Sequence, residues 1–380
     1  MRIVIKGTNN VNKGAELMFC AICQELENRY PYSSVYISEL KTDSPYISKS
    51  LSINPRKHKQ ILRLSSRLHL YGLLRRLGFN LRFLNIMDYC PADTDFYFNA
   101  GGYAVGDVWN HSEKSNKAME SYFSYLRKNN VKIVYLPQAF GPFEKESSKN
   151  AAKIILKYAD IVYAREEKSF EYLQSIGGRN SNLKIAPDFT TLIKGVYPKG
   201  LEDYSDAIVI IPNKRMLLET AVVIEDYVNL IIDVMPIADK LQKKLVILNH
   251  EGPSDLDICK EINEKCDNRL KIVDGLPALE IKGFIESSYA VISSRFHGTA
   301  SSLSSAVPCL SSSWSPKYEL LYADYGLDDM IVDLKNRTDT IRRVSAILNP
   351  IDNANLRNIL VERVKHIKEL NKNMWNEIYR

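Results

Sequence analysis

No apolar run in this sequence approaches the roughly 20 residues that a membrane-spanning helix requires. The opening residues, Met1-Arg2-Ile3-Val4-Ile5, read as a strand, not as a basic stretch leading into an apolar leader and cleavage site. A cytoplasmic place of work is the expectation. Cysteine is sparse, at 6 in 380 residues, which fits reduced thiols and excludes a small disulfide scaffold. Cys20 and Cys23 have CxxC spacing but fall inside a helical pattern, away from the first turn where a redox pair is activated, so they read as packing residues. The histidines at 58, 69, 111, 250, 297 and 366 offer neither HExxH nor Cys/His pairs at ligand spacing, so no metal or bound cofactor is expected. A GxSxG nucleophile elbow is also missing. The charge excess is only +6, and no Lys/Arg block, zinc-finger spacing or aromatic RNA-binding signature accompanies it. Nucleic acid is thereby set aside as a partner, whereas small anions are not.

What the chain does contain is a repeated alternation. β-rich runs occur at Arg2–Lys6, Ser34–Ser38, Asp95–Asn99, Lys132–Leu136, Ile161–Arg165 and Lys184–Ala186. A second series runs through Ala207–Pro212, Lys244–Asn249, Leu270–Val273, Ala290–Ser293, Pro308–Ser312 and Met330–Val332. Amphipathic stretches such as Ala15–Arg29, Ser169–Ile176, Glu225–Leu241 and Ser254–Cys266 separate them. Strands alternating with helices imply parallel sheets with crossover helices. The pattern occurs twice, with a Gly-, Pro- and Lys-rich break around Thr191–Ser205. The expected architecture is therefore α/β, with two Rossmann-like, doubly wound domains facing a cleft. Their expected bounds are 1–195 and 196–350, followed by a C-terminal helix over 351–380 that packs back across the hinge.

One segment departs from the alternation. Ser50–Met87 carries Arg56, Lys57, Lys59, Arg63, Arg67, Arg75, Arg76 and Arg82 among leucines and isoleucines. It reads as a basic amphipathic helix or helical pair. Two roles fit: a solvated cover over a sheet face, or peripheral docking at the inner face of the plasma membrane near a lipid-linked acceptor.

Ligands of open parallel sheets bind beyond the carboxyl ends of the strands, so the chemistry is expected in those loops. The first, Gly7 to Glu16, holds Asn9 and Asn10 and opens a helix, without matching either GxGxxG or the phosphate loop. Glu16 there is either a helix-dipole partner or a catalytic carboxylate. The second contains Gly101, Gly102 and Asp107, whose glycines admit close approach to the backbone. Gln138 lies in a third and Arg165 in a fourth, the latter read either as aimed into the cleft or as salt-bridged to Glu166. His250 and Glu251 end a strand of the second half, suited to holding acceptor hydroxyls or moving protons, and equally to loop polarity.

The densest signal is Ser294-Arg295-Phe296-His297-Gly298-Thr299. Here an apolar strand delivers Arg295 and His297 on one side of an extended segment. A helix then starts at Gly298 and Thr299 with free N–H groups facing the same place. A guanidinium fork, an imidazole and a helix start suit a phosphate or carboxylate. Two neighbouring cations would be costly to bury without an anion, which favours a binding role. Lys317 adds charge nearby, and Trp314 or Tyr318 would stack on a sugar ring.

These landmarks occur in a fixed order: Gly14–Glu16, Gly101-Gly102, Gln138 with Gly141-Pro142, Ala164-Arg165-Glu166, Pro187-Asp188, the Ser-Arg-Phe-His-Gly run, and Ala306–Pro308. In that order the chain resembles the polysaccharide pyruvyl transferase family over roughly residues 1–330. The resemblance implies a GT-B-like fold and phosphoenolpyruvate as donor. It also implies transfer of a pyruvyl group to two sugar hydroxyls as a ketal, on a capsular or other surface polysaccharide precursor. Arg295 and His297 match its donor-binding positions, and Arg165 is the further candidate. Under that reading His297 donates a proton or neutralises the departing phosphate, and Glu16, Asp107 or Glu251 deprotonates the hydroxyl. The competing expectation is a glycosyltransferase with a nucleotide-sugar donor.

Overall fold

The computed structural model describes residues 1–8, 12–37, 51–55, 94–109, 111–177, 181–327 and 329–380. Asn9 and Asn10, and all of the basic segment 50–87 except 51–55, lie outside the described residues. Within 51–55 the chain forms a strand, Ser52–Pro55, not a helix.

Two parallel sheets organise the described residues. The first is built from β1 (Arg2–Lys6), β2 (Ser34–Ile37), β3 (Ser52–Pro55), β4 (Phe96–Asn99), β6 (Lys132–Phe140), β7 (Ile161–Ala164) and β8 (Leu183–Ile185). Its order is β3-β2-β1-β4-β6-β7-β8, with β5 (Tyr103–Val105) beside β6. The second, from β9 (Ile208–Ile211), β10 (Leu245–Leu248), β11 (Lys271–Val273), β12 (Ala290–Ser293) and β13 (Cys309–Ser311), has the order β11-β10-β9-β12-β13. Both reverse direction next to their first strand, as doubly wound sheets do. The central strands of the second sheet read IVII, LVIL and AVIS and are buried along their whole length. That is the pattern of a sheet covered on both faces.

The chain divides into two compact units. One takes the described residues within 1–10, 18–188 and 374–380, and the other takes those within 11–17 and 189–373. The short segment before Met18 is thus grouped with the second unit, although it is continuous with the helix Lys13–Arg29. Cys20 and Cys23 are buried in that helix as packing residues. Burial, then the neighbouring Cys20 and Glu27, push the Cys23 thiol well up, the reverse of a redox-active thiol.

Some elements differ from the sequence expectation. Strand β5 follows directly on Gly101-Gly102, inside what reads as a loop. Met330–Val332 makes only a single parallel bridge, Ile331 to Ser311. The C-terminal helix begins at Pro350 and runs to Ile378, with proline where its missing N–H costs nothing and the Asn349 side chain accepting from the Ile351 N–H at 3.0 Å. Its last residues belong to the first unit. There Trp375 is 1% exposed and meets Phe98 edge-on at 6.1 Å, and the Lys132 Nζ donates to the Ile378 carbonyl at 2.6 Å.

Candidate functional site

The site residues of the second unit are placed by the end of β12. Ser294 is the anchor: its N–H donates to the Ile211 carbonyl at 2.9 Å, and its own carbonyl accepts from Asn213 Nδ2 and the Tyr318 hydroxyl, each at 2.7 Å. Its hydroxyl meets Tyr227 at 2.6 Å and Ser312 at 2.7 Å. Every polar atom of Ser294 is therefore committed, which fixes where the next residue points. Tyr318, read from sequence as a sugar-stacking ring, is fully buried in this network and has no face to offer.

Arg295 follows as the N-cap of the helix Phe296–Ser304, with extended backbone. The helix starts earlier than the sequence suggests, so His297 lies in its first turn and not on an extended segment. Thr299 is not a free donor: its N–H bonds the Arg295 carbonyl at 3.0 Å, and its side chain is enclosed between Arg295 and Ser311. Gly298 is packed where a Cβ would come within 2.7 Å of Ser293 Oγ.

The Arg295 side chain also answers differently from the expectation that it needs an external anion. Its Nε donates to Asp255 Oδ2 at 2.6 Å, its Nη2 lies 2.5 Å from the same oxygen, and its Nη1 bonds Glu251. The protein supplies the counter-charge itself. Asp255 has no exposed side-chain surface, whereas Glu251 retains 23%. Burial raises the Asp255 carboxyl, and the Arg295 guanidinium then opposes that shift. Asp255 was not singled out from the sequence. It lies four residues after Glu251, one turn into the helix Gly252–Lys265, and that spacing was the available signal.

The segment 12–16 closes on this cluster. Asn12 Nδ2 donates to Glu251 Oε1 at 2.8 Å, while its Oδ1 accepts from the Ala15 N–H at 3.0 Å, as a helix cap does. Gly14 packs against the His297 imidazole so closely that a Cβ would fall 2.0 Å from Nδ1. Only glycine permits that approach. Glu16, buried, pairs with Lys13 Nζ at 2.8 Å and accepts from the Ala278 N–H at 3.4 Å. Buried beside them, His250 has a ring Nδ1 with no partner among the described residues. Desolvation first, then Arg295, His297 and Lys13, hold its imidazole well below the usual histidine range, so it is neutral at physiological pH.

Lys317 sits over the Trp314 ring at 4.1 Å and the Phe296 ring at 5.3 Å, carrying a cation beside the first helical residue. Second-unit candidates Arg295, His297, Gly298, Glu16, His250, Glu251 and Lys317 thus lie around one helix start and its flanking loops.

The other candidates belong to the first unit. Gly7, with φ +90°, and Gly101 meet so tightly that a Cβ on Gly7 would lie 2.6 Å from Gly101 Cα. Gly101 donates its N–H to Asn99 Oδ1 at 3.2 Å, and Gly102 adopts a left-handed φ of +65° beside Met18. Gln138 is fully buried at 3.4 Å from Asn99 Oδ1, and its Oε1 has no partner among the described residues. Arg165 is buried with Glu166 at 3.7 Å and Asp188 at 3.8 Å, so the salt-bridge reading of this residue describes its surroundings. Asp107 caps the turn before the helix Glu146–Tyr158, accepting from the Glu144 N–H at 2.6 Å, the Lys145 N–H at 3.0 Å and the Ser148 hydroxyl. Desolvation works against it, but those hydrogen bonds and Lys145 hold its carboxyl below the ordinary value.

A family model described as polysaccharide pyruvyl transferase matches residues 12–316, most of the chain. The chain belongs to that family. None of the functionally curated proteins matches it. Among solved structures, it is similar to a UDP-GlcNAc 2-epimerase from Neisseria meningitidis bound to UDP-GlcNAc, at 12% identity and TM-score 0.58, covering 100% of this chain and 99% of that one. A putative UDP-N-acetylglucosamine 2-epimerase from Listeria monocytogenes matches at 14% identity and TM-score 0.57, over 94% of this chain and 90% of that one. Anabaena HepE in complex with UDP matches at 12% identity and TM-score 0.56, over 99% and 100%. These likenesses show the fold, two Rossmann-like units of the GT-B kind. Among the described residues, no helix of this family member is long and apolar enough to cross a membrane.

Proposed function

We propose that this polysaccharide pyruvyl transferase takes phosphoenolpyruvate as donor and builds a cyclic pyruvate ketal on two hydroxyls of a sugar. The acceptor would be a precursor of a bacterial capsular or other surface polysaccharide, modified in the cytoplasm. The observation that carries the donor assignment is the clustering of Arg295, His297 and the buried His250, whose Nδ1 has no partner among the described residues, at one helix start in a chain of this family. A guanidinium fork and imidazole N–H groups match phosphate and carboxylate oxygens.

In this reading a proton is added to the donor's methylene carbon, making a methyl group, with His297 as its source. The oxygen of one sugar hydroxyl bonds to the adjacent carbon. The bond from that carbon to the phosphate oxygen then breaks, and the second hydroxyl closes the ring. Of the two hydroxyl protons, one restores the acid and the other leaves with phosphate. General acid work of this kind suits histidine. Glu16 is the carboxylate proposed for the hydroxyl proton, whereas Glu251 is engaged by Arg295 and Asn12 and Asp107 is committed to its cap. The basic segment 50–87 is proposed to hold the enzyme peripherally at the inner membrane face, near a lipid-linked acceptor.

Incubation with phosphoenolpyruvate and a panel of bacterial glycans tests this. Expected are free phosphate and a glycan heavier by pyruvate less one water. Absence of both would sink the donor assignment. A second reading is favoured by the similar solved structures bound to UDP or UDP-GlcNAc. A nucleotide-sugar glycosyltransferase would instead release UDP.

A further inference from the structure

Glu251 and Asp255 occupy one guanidinium between them, and they do so unequally. Asp255 has no side-chain exposure and touches Arg295 through both Nε and Nη2, at 2.6 and 2.5 Å. Its other oxygen accepts from the Lys214 N–H at 3.2 Å. It is built into the wall. Glu251 instead reaches Arg295 through Nη1 alone, keeps 23% exposure and lies on extended backbone. It stands at the N-cap of the helix Gly252–Lys265, yet its carboxylate does not cap that helix. Its side-chain partners among the described residues are Arg295 and Asn12, and Asn12 belongs to the segment that brings Gly14 against His297.

An anion arriving at Arg295 would meet one positive charge facing two negative ones. Left in place, two fixed carboxylates would repel it. We propose that Glu251 is a displaceable stand-in for the anionic group of the donor. It holds Arg295 and Asn12 in place while the site is empty and yields the Arg295 Nη1 edge when a phosphate or carboxylate enters. Asp255 keeps the guanidinium oriented throughout. Glu251 is on this account a positioning residue acting through Arg295. The inference rests on the donor reading above only for the identity of the anion.

Isothermal titration separates the two. Inorganic phosphate, phosphoenolpyruvate and UDP are titrated into the full-length wild type, Glu251→Gln and Glu251→Ala. Gln keeps one acceptor oxygen for either Asn12 or Arg295 in a side chain of the same shape, and the competing anion is gone. Both variants should bind the anion that belongs at Arg295 roughly threefold to tenfold more tightly than the wild type. In turnover assays the donor KM should fall by a similar factor while the acceptor KM stays put. Asp255→Asn should act oppositely and weaken anion binding. Tighter phosphate or UDP binding with no response to phosphoenolpyruvate keeps the stand-in role and removes the donor assignment. Glu251 variants that bind none of the three more tightly than the wild type overturn the proposal, even if phosphoenolpyruvate binds all of them.

Discussion

Arg295 concentrates the chemistry of the second unit because Ser294 before it is fully hydrogen-bonded and its own side chain is divided between a buried and a part-exposed carboxylate. Removing its charge by Arg295→Gln should cost at least about 100-fold in kcat/KM, since a charge-assisted pair to the donor is lost and Asp255 is left buried without its cation. Steady-state phosphate release checks the first effect and a urea midpoint the second. His250 allows a prediction of opposite kind. Its folded-state affinity for a proton is depressed by burial and nearby cations. Between its folded and unfolded pKa values the unfolded chain binds more protons, so stability is complete above the ordinary value of 6.5 and declines as pH falls below it. His250→Gln should therefore flatten the fall of Tm between about pH 7 and about pH 5.5. A wild type and variant with parallel pH profiles would remove His250 from that balance.

Among the elements, the start of the helix Lys13–Arg29 shows how a propensity rule yields to geometry. Alanine normally favours a helix over glycine by about 1 kcal/mol. At Gly14 that gain meets the His297 ring, 2.0 Å from where the new carbon would sit. Gly14→Ala should thus lower turnover about 100-fold, the scale of a catalytic group misplaced by an ångström, while near-UV circular dichroism reports a folded protein. Retention of wild-type turnover would mean that His297 does not need its present position. This contact explains what sequence could and could not disclose. Gly14, Glu16, Arg295 and His297 were legible because each sits at a strand end or helix start, where local patterning is informative. Their mutual placement was not, because nothing in the local pattern of residues 12–16 pairs them with residues 250–297. Asp255 escaped because, four residues beyond Glu251, it looks like any acidic first-turn residue. The alternation of strands and helices disclosed both sheets, but β5 is three residues long and follows two glycines, too short for a period of two to register.

At the scale of the whole molecule, the two sheets carry separate cores, yet the first is completed from the far end of the sequence. Trp375 is almost wholly buried against Phe98, and Tyr379 meets Phe96 and stacks on Trp375. Trp375→Ala should destabilise this unit by about 3–5 kcal/mol, the range for emptying a large aromatic site. Denaturant unfolding followed by the fluorescence of Trp109 in the first unit, with Trp314 of the second replaced by Phe in both proteins, would detect it. Arg29 donating to Asn376, Tyr163 to Glu377 and Lys132 to the Ile378 carbonyl pin the same segment. For a chain made from its N-terminus onward, β1 and β4 emerge early but wait for their final covering until residues 374–380 have left the ribosome. A message cut short anywhere upstream would leave Phe96 and Phe98 uncovered. Chaperones and proteases would then meet, in a chain lacking residues 374–380, an aromatic face that the folded protein hides.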